Sequence, residues 1–328
     1  MVYKVLGNTL QNIERKKQIL DSHRPMPAKL IENLLNWFRI ELAYSSNAIE
    51  GNTLSKLETA AIVENGITIG GKLLKEHLEA INHANAFDFI VSLAKEKTLD
   101  KRHILQIHKL VLTSIEDQYA GRYRDIRVRI SGTDIIFPNP LKVPELIADF
   151  IAKINSYENP IHKAINAHYE LFTIHPFIDE NGRTARLLMN LILIQNGFAP
   201  AIIKPRNRLK YLKSLEKAQL GGSKDDYESF MLNCIDRSMD IYLNALENKE
   251  SPKITPKIEL IKIGKLAKDS SETIATLRHW IKLGLIEVSA TLESGYQLFE
   301  KSEIQKCFRI RELQKQRLTL EEIARELG

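Results

Sequence analysis

Residues 175–186 read His-Pro-Phe-Ile-Asp-Glu-Asn-Gly-Arg-Thr-Ala-Arg, the densest concentration of reactive side chains in the chain. His175 is a titratable base whose ordinary range lies near neutrality. Arg183 and Arg186 stand three residues apart, a spacing that puts both on one face of a helix. They fall where a helix would begin, and a helix N-terminus already favours negative charge through its unsatisfied N–H groups and dipole. Two cations added to a positive helix end suit an anion of high charge, such as a polyphosphate. Asp179, in the loop between base and cations, supplies a carboxylate for the Mg²⁺ that accompanies such an anion.

Two helices must hold this loop. Residues 161–174 have helical apolar spacing, and Pro176 disfavours helix at the residue before it. Asn181-Gly182 is turn chemistry, and a second helix is expected from about Arg183, apolar over 187–194. Helical periodicity also covers 27–49, 54–65, 73–95, 101–114 and 143–155, then runs through the loop to Leu246. Residues 127–138 break the pattern. There Val128, Ile130, Ile135, Ile136 and Phe137 flank Ser131-Gly132-Thr133-Asp134, which predicts a β-hairpin with a polar tip. Residues 247–252 are polar, end in Pro252 and read as a linker. The organisation expected is an N-terminal helical region (1–110), a catalytic core (111–246) and a small C-terminal domain (253–328).

Composition narrows the classes. The chain has 328 residues, 44% hydrophobic and 27% charged, ordinary for a globular protein with room for two domains. Cys234 and Cys307 lie far apart without metal or redox spacing, so a reducing cytoplasm is expected. No signal peptide is read in the first twenty residues, and no apolar run is long enough to span a bilayer. A net charge of +6 is compatible with an anionic ligand without requiring one. Gly70-Gly71-Lys72 lacks the spacing of a phosphate-binding P-loop. His77/His83 and His103/His108 lack the spacing of a helical zinc pair and read as structural or solvated.

The stretch 175–186 resembles the defining motif of the Fic family, His-Pro-Phe-x-Asp/Glu-Gly-Asn-Gly-Arg-x-x-Arg, at every fixed position but one, and the likeness extends from about Leu30 to Leu243. It implies a mainly α, Fic-type helical fold with a small β-hairpin flap. It also implies transfer of AMP from ATP to a Ser, Thr or Tyr hydroxyl of a target protein. By the same resemblance His175 is the catalytic base, Asp179 ligates Mg²⁺, and Glu180, Asn181, Gly182, Arg183, Thr184, Ala185 and Arg186 border the nucleotide phosphates. Glu180 stands where the family carries glycine; its carboxylate could repel the nucleotide, add a metal ligand or point to solvent.

Upstream, Ser46-Asn47-Ala48-Ile49-Glu50-Gly51 is similar to the family's inhibitory motif. Ser46 and Glu50 share a helix face, and Gly51 is suited to end the helix. The resemblance pairs Glu50 with Arg186 in place of the γ-phosphate, so inhibition would be built into the chain. Gly121-Arg122-Tyr123-Arg124 followed by Val128, Arg129, Ile130 and Ser131 is similar to the flap that would clamp the target by β-augmentation. Tyr211 would line the adenine pocket, and Gln219, on a similar helix face, stands where relatives often carry asparagine. Two alternatives share these residues. One is removal of AMP from a modified protein with Glu50 orienting water; the other is a nucleotide-sensing, DNA-binding regulator.

From Lys253 onward the pattern resembles the winged helix-turn-helix of MerR-type regulators. Two short helices over 263–268 and 273–282 would precede a wing tip at Glu293-Ser294-Gly295-Tyr296, and 318–323 would open a last helix. The segment carries 14 Lys and Arg against 11 Asp and Glu, with Asp269-Ser270 in the turn and Ala275 where relatives carry arginine. Docking of a protein, or of a second copy of the chain as a homodimer, is therefore favoured over DNA.

Overall fold

The computed structural model describes residues 2–96, 98–130, 132–247, 260–291, 296–315, 319–320 and 322–323. Among them are α1 (Val2–Ser22), α2 (Ala28–Ile49), α3 (Lys56–Asn65), α4 (Leu74–Ser92), α5 (Lys101–Leu112), α6 (Val143–Asn155), α7 (Pro160–Ile174), α8 (Asn181–Gln195), α9 (Arg208–Gln219) and α10 (Asp225–Leu246). These are followed by β1 (Ile261–Lys262), α11 (Ile263–Ser270), α12 (Ile274–Lys282), β2 (Ala290–Thr291), β3 (Gln297–Phe299) and α13 (Ser302–Lys315). The architecture is mainly α, as the sequence implies. The chain divides into two compact units, Met1–Thr53 with Leu78–Ile254, and Leu54–His77 with Thr255–Gly328.

In the first unit the helices start and stop where local chemistry directs. Asn159 caps α7 by accepting from the amides of Ile161 and His162 at 2.9 and 3.1 Å, with Pro160 in the first turn. The helix ends at His175, whose φ of 51° leaves the helical region just before Pro176. α8 is the centre of the unit: every residue from Asn181 to Leu193 is buried. Such a helix needs no amphipathic stripe because it is covered on all sides. Each of Leu187, Leu188, Leu191, Ile192 and Leu193, at most 1% exposed, contributes about 1.5–3 kcal/mol by leaving water. α7 packs along α8, and α1, which the sequence reading leaves unassigned, packs along α10. Lys16 secures the latter pair through Asp236 at 2.8 Å and Asp240 at 2.6 Å.

Residues 127–138 do not form the expected hairpin. No strand is present there among the described residues, and Ser131 lies outside them. The physical reason is at its stem, where the Arg124 guanidinium takes the carbonyls of Ile126 and Pro138, at 3.1 and 2.7 Å, in place of cross-strand bonding. A buried arginine closes the loop that a ladder was expected to close.

The second unit holds a three-stranded antiparallel sheet in the order β1-β3-β2, with Ile261 opposite Phe299 and Ala290 opposite Leu298. α11 and α12 meet at Ser271, which has a φ of 59°, and Thr273 caps α12. Leu266, Leu277, Trp280, Leu285, Phe299, Cys307, Ile310 and Leu313 make its core. Arg311 adds a pair of 2.6 Å bonds to Glu272 and lies over the Trp280 ring at 5.0 Å. α3 belongs to this unit, where the amide of Gly70 donates to the carbonyl of Thr291. The linker at 248–252, the wing-tip residues Glu293, Ser294 and Gly295, and Leu318 and Glu321 of the expected last helix lie outside the described residues.

Candidate active site

The candidate site forms around the loop between α7 and α8, within the first unit. His175 is 8% exposed, and its ring stacks on Phe137 with centroids 3.9 Å apart. Its Nδ1 lies 3.2 Å from the carbonyl of Phe172. A carbonyl only accepts, so Nδ1 carries the proton and Nε2 keeps its lone pair. Burial pushes the imidazole down to about 4, helped by the Arg124 charge, so the ring is neutral at pH 7.

Beyond it the loop is held from inside. The Asn181 amide bonds both main-chain groups of Phe177, accepting from its N–H at 2.9 Å and donating to its carbonyl at 3.0 Å. Phe177 is fully buried and stacks on His108 at 3.7 Å. His108 Nδ1 accepts from the Gly121 amide at 2.9 Å, which leaves Nε2–H to donate to the Asp179 carbonyl at 3.3 Å. The structural reading of His108 is right, and its task is to fix this loop; nothing in its sequence spacing points there. Asp179 is exposed and accepts from the Glu180 amide at 2.7 Å.

Glu180 adopts a φ of 61°, in the left-handed region, which costs a non-glycine residue about 1–2 kcal/mol. Its side chain neither reaches solvent nor stays neutral toward the arginines. It is 6% exposed and forms an ion pair with Arg183, which also meets Glu79 at 3.3 Å. Burial pushes the Glu180 carboxyl up to about 7 although Arg183 pulls it down. Oε2 is buried without a hydrogen-bond partner.

Arg186, 5% exposed, is claimed by α2. Its Nε donates to Ser46 Oγ at 2.9 Å, and Nη2 donates to the Ser46 carbonyl at 3.1 Å and to Glu50 Oε1 at 2.7 Å. Burial raises the Glu50 carboxyl, but Arg186, Arg183 and Arg208 outweigh it and hold the group below its ordinary range. Arg208 also fixes the end of α2 by donating to the Ile49 carbonyl at 2.5 Å. Gly51 then turns the chain with a φ of 100°. Gly182 makes room for Glu50, since a Cβ there would lie 2.6 Å from Glu50 Oε1. Thus each arginine of the motif already has carboxylate partners.

Thr184 and Ala185, on α8 just past its first residues, are fully buried. Tyr211 lies next to Arg186, inside the core. It is fully buried, and its hydroxyl bonds His168 Nε2 at 2.9 Å, while His168 Nδ1 meets the Tyr227 hydroxyl at 2.7 Å. Tyr227 in turn donates to the Ile165 carbonyl at 3.3 Å, so His168 Nδ1–H donates to Tyr227 and Tyr211 donates to Nε2. Eight helical residues turn about 80° past a full number of turns, which separates Tyr211 from Gln219. Gln219 is half-buried and donates to Thr173 Oγ1 at 3.3 Å. Arg129 and Ile130 are exposed and Val128 is half-buried on the loop that Arg124 closes. Sequence reasoning also missed Glu79, and it named Arg124 only as part of the flap-like stretch.

The profile of the Fic/DOC family matches residues 98–193, and that of the MerR HTH family regulatory proteins matches residues 261–328. The chain is 38% identical over 206 residues to a protein adenylyltransferase Fic of Nematostella vectensis, covering 61% of this chain and 48% of that protein. It is 35% identical over 227 residues to protein adenylyltransferase fic-1 of Caenorhabditis elegans, covering 65% and 44%. The chain thus spans about half the length of the curated relatives it matches. Among solved structures, a Fic-1 fragment from C. elegans superposes with a TM-score of 0.69 at 30% identity, covering 76% of this chain and 75% of that one. With the loop, its two helices and the glutamate on Arg186 all in place, the chain belongs to the Fic family.

Proposed function

We propose that this chain is a protein adenylyltransferase that uses ATP and is held back by Glu50. The observation that carries the reading is one loop with His175 at its start and Arg183 and Arg186 on the helix that follows, Arg186 being held by Glu50 at 2.7 Å. The N–H groups of the first turn of α8 have no acceptors within the helix and would receive the phosphates. Arg183 and Arg186 would hold the β- and γ-phosphates once their carboxylates withdraw. Asn181 would act mainly by fixing the loop, since its amide is committed to Phe177. Val128, Arg129 and Ile130 lie on the loop that Arg124 closes, where a target segment would be held against the main chain.

No cluster of three His, Cys, Asp or Glu able to cage a metal exists among the described residues. One exposed carboxylate, Asp179, fits Mg²⁺, which is bound by one or two carboxylates together with substrate phosphates. When bound it would neutralise phosphate charge. His175 Nε2 would take the proton of a Ser, Thr or Tyr hydroxyl. The hydroxyl oxygen then bonds the α-phosphorus as the bond to the bridging oxygen breaks, and pyrophosphate leaves with the electron pair.

The test is incubation of E50G with labelled ATP. Label on protein should rise at least about tenfold over the parent, equivalent to ~1.4 kcal/mol of relieved competition. H175A in the E50G background should abolish it; label surviving in that double variant would overturn the assignment. A second reading rests on the 36% exposure of the Glu50 side chain, which leaves it within reach of solvent. There Glu50 orients water to remove AMP, and loss of label from an AMP-modified protein with the parent but not with E50G would favour it. No helix among the described residues is long and apolar enough to cross a membrane. The MerR-like segment is proposed as a docking domain for a protein or a second copy. Specific DNA binding without AMP transfer by E50G would support the regulator instead.

A further inference from the structure

Arg124 is 2% exposed and has no carboxylate partner among the described residues. All its guanidinium bonds go to main-chain carbonyls: Nε to His175 at 2.8 Å, Nη1 to Ile126 at 3.1 Å and Nη2 to Pro138 at 2.7 Å. Its own amide donates to the Pro176 carbonyl at 2.9 Å. A buried cation is costly unless its donors are satisfied. This one is spent on the base residue and on both stems of the 126–138 loop. The stem also brings Phe137 to the His175 ring. His175 sits at a φ of 51°, a conformation a histidine keeps only when its surroundings enforce it.

We infer that Arg124 is the positioning residue of this site: one side chain sets the backbone of His175 and the base of the loop that would present the target hydroxyl, so base and acceptor move as one body. The inference rests on the reading of His175 as the base. It assigns no contact between Arg124 and nucleotide, so loss of Arg124 should damage turnover and spare ATP binding. A lysine keeps the charge but offers a single nitrogen, which cannot span three carbonyls. It should therefore recover only part of the loss.

The experiment compares E50G with E50G/R124M and E50G/R124K in steady-state self-labelling at varied ATP, with circular dichroism as the fold check. In the same proteins without nucleotide, the His175 ring protons are titrated by NMR, assigned against H175A. The expected result for R124M is a kcat about 100-fold lower with KM for ATP changed by less than about threefold, R124K falling between. The His175 ring should also titrate higher in E50G/R124M than in E50G, since a nearby cation is gone while Asp179 remains as the charge that favours its protonation. Retention of kcat within about threefold in R124M overturns the inference, as does a rise in KM that accounts for the whole loss. If R124M does not fold, the same comparison is read from R124K. If E50G itself fails to label, adenylyl transfer is wrong but the NMR arm still decides: an unchanged His175 titration in R124M refutes the positioning role.

Discussion

At the scale of single residues, the site is a set of cations already spoken for. Glu50 holds Arg186, and Glu180 with Glu79 holds Arg183. Freeing Arg186 alone should leave the phosphate site partly blocked. E50G/E180G is therefore expected to show a KM for ATP about tenfold below E50G, ~1.4 kcal/mol, measured as self-labelling against ATP concentration. An equal or higher KM would mean that Glu180 assists the nucleotide. The base makes a second prediction. His175 is neutral down to about pH 4, so the acidic limb of kcat/KM for E50G should fall near that pH and not near 6.5. The order of the motif residues is legible in sequence because it depends on residue type at short spacing, whereas the Glu50–Arg186 partnership, 136 positions apart, is implied only by the resemblance. The roles of Arg124, His108 and Glu79 are not legible, since each acts through backbone groups or charges brought together only by folding.

At the scale of elements, α8 is both the middle of the core and, at its first turn, the floor of the site. Leu191→Ala should cost about 2–5 kcal/mol, seen as a fall in the thermal midpoint. E50G/L191A should keep the KM for ATP of E50G at temperatures where it remains folded, because the truncation lies well beyond the first turn. The end of α7 could be read from Pro176, whose effect is local, but Asn181-Gly182, read as a turn before a helix from about Arg183, lies within the first turn of α8. The face of α9 could not be read. Tyr211 is buried beside Arg186 with its hydroxyl on His168, a network that only folding brings together. The 127–138 segment has the alternation of a hairpin, yet an arginine on the preceding stem competes for the carbonyls a ladder needs. α1 escaped the sequence reading because its partner, α10, lies at the far end of the unit's sequence.

At the scale of the whole molecule, the first unit buries several histidines. His83, His108, His168 and His175 are at most 8% exposed, and burial drives all four well below 6.5, to about 3, 4, 3 and 4. Their folded values are depressed, so the unfolded chain binds more protons between those values and 6.5. The stability they lend is present above pH 6.5 and lost as pH falls through that window. Each group contributes about 1.4 kcal/mol per pH unit there. The thermal midpoint should accordingly drop steeply below pH 6.5, and H108N should make that drop shallower; an unchanged slope would show that the ring is protonated in the fold.

The bond between Arg186 and Glu50 joins residues 136 positions apart, and the earlier one leaves the ribosome first. α2 shares one core with α7 and α8 through Leu34, Phe38, Leu42 and Ile49. Domains fold as units, N-terminal segments being made first. The helix that ends at Glu50 is thus made before either motif arginine, and the shared core closes with the carboxylate already at hand. On the proposed reading Glu50 meets Arg186 as that core forms, so release calls for a change in a finished protein.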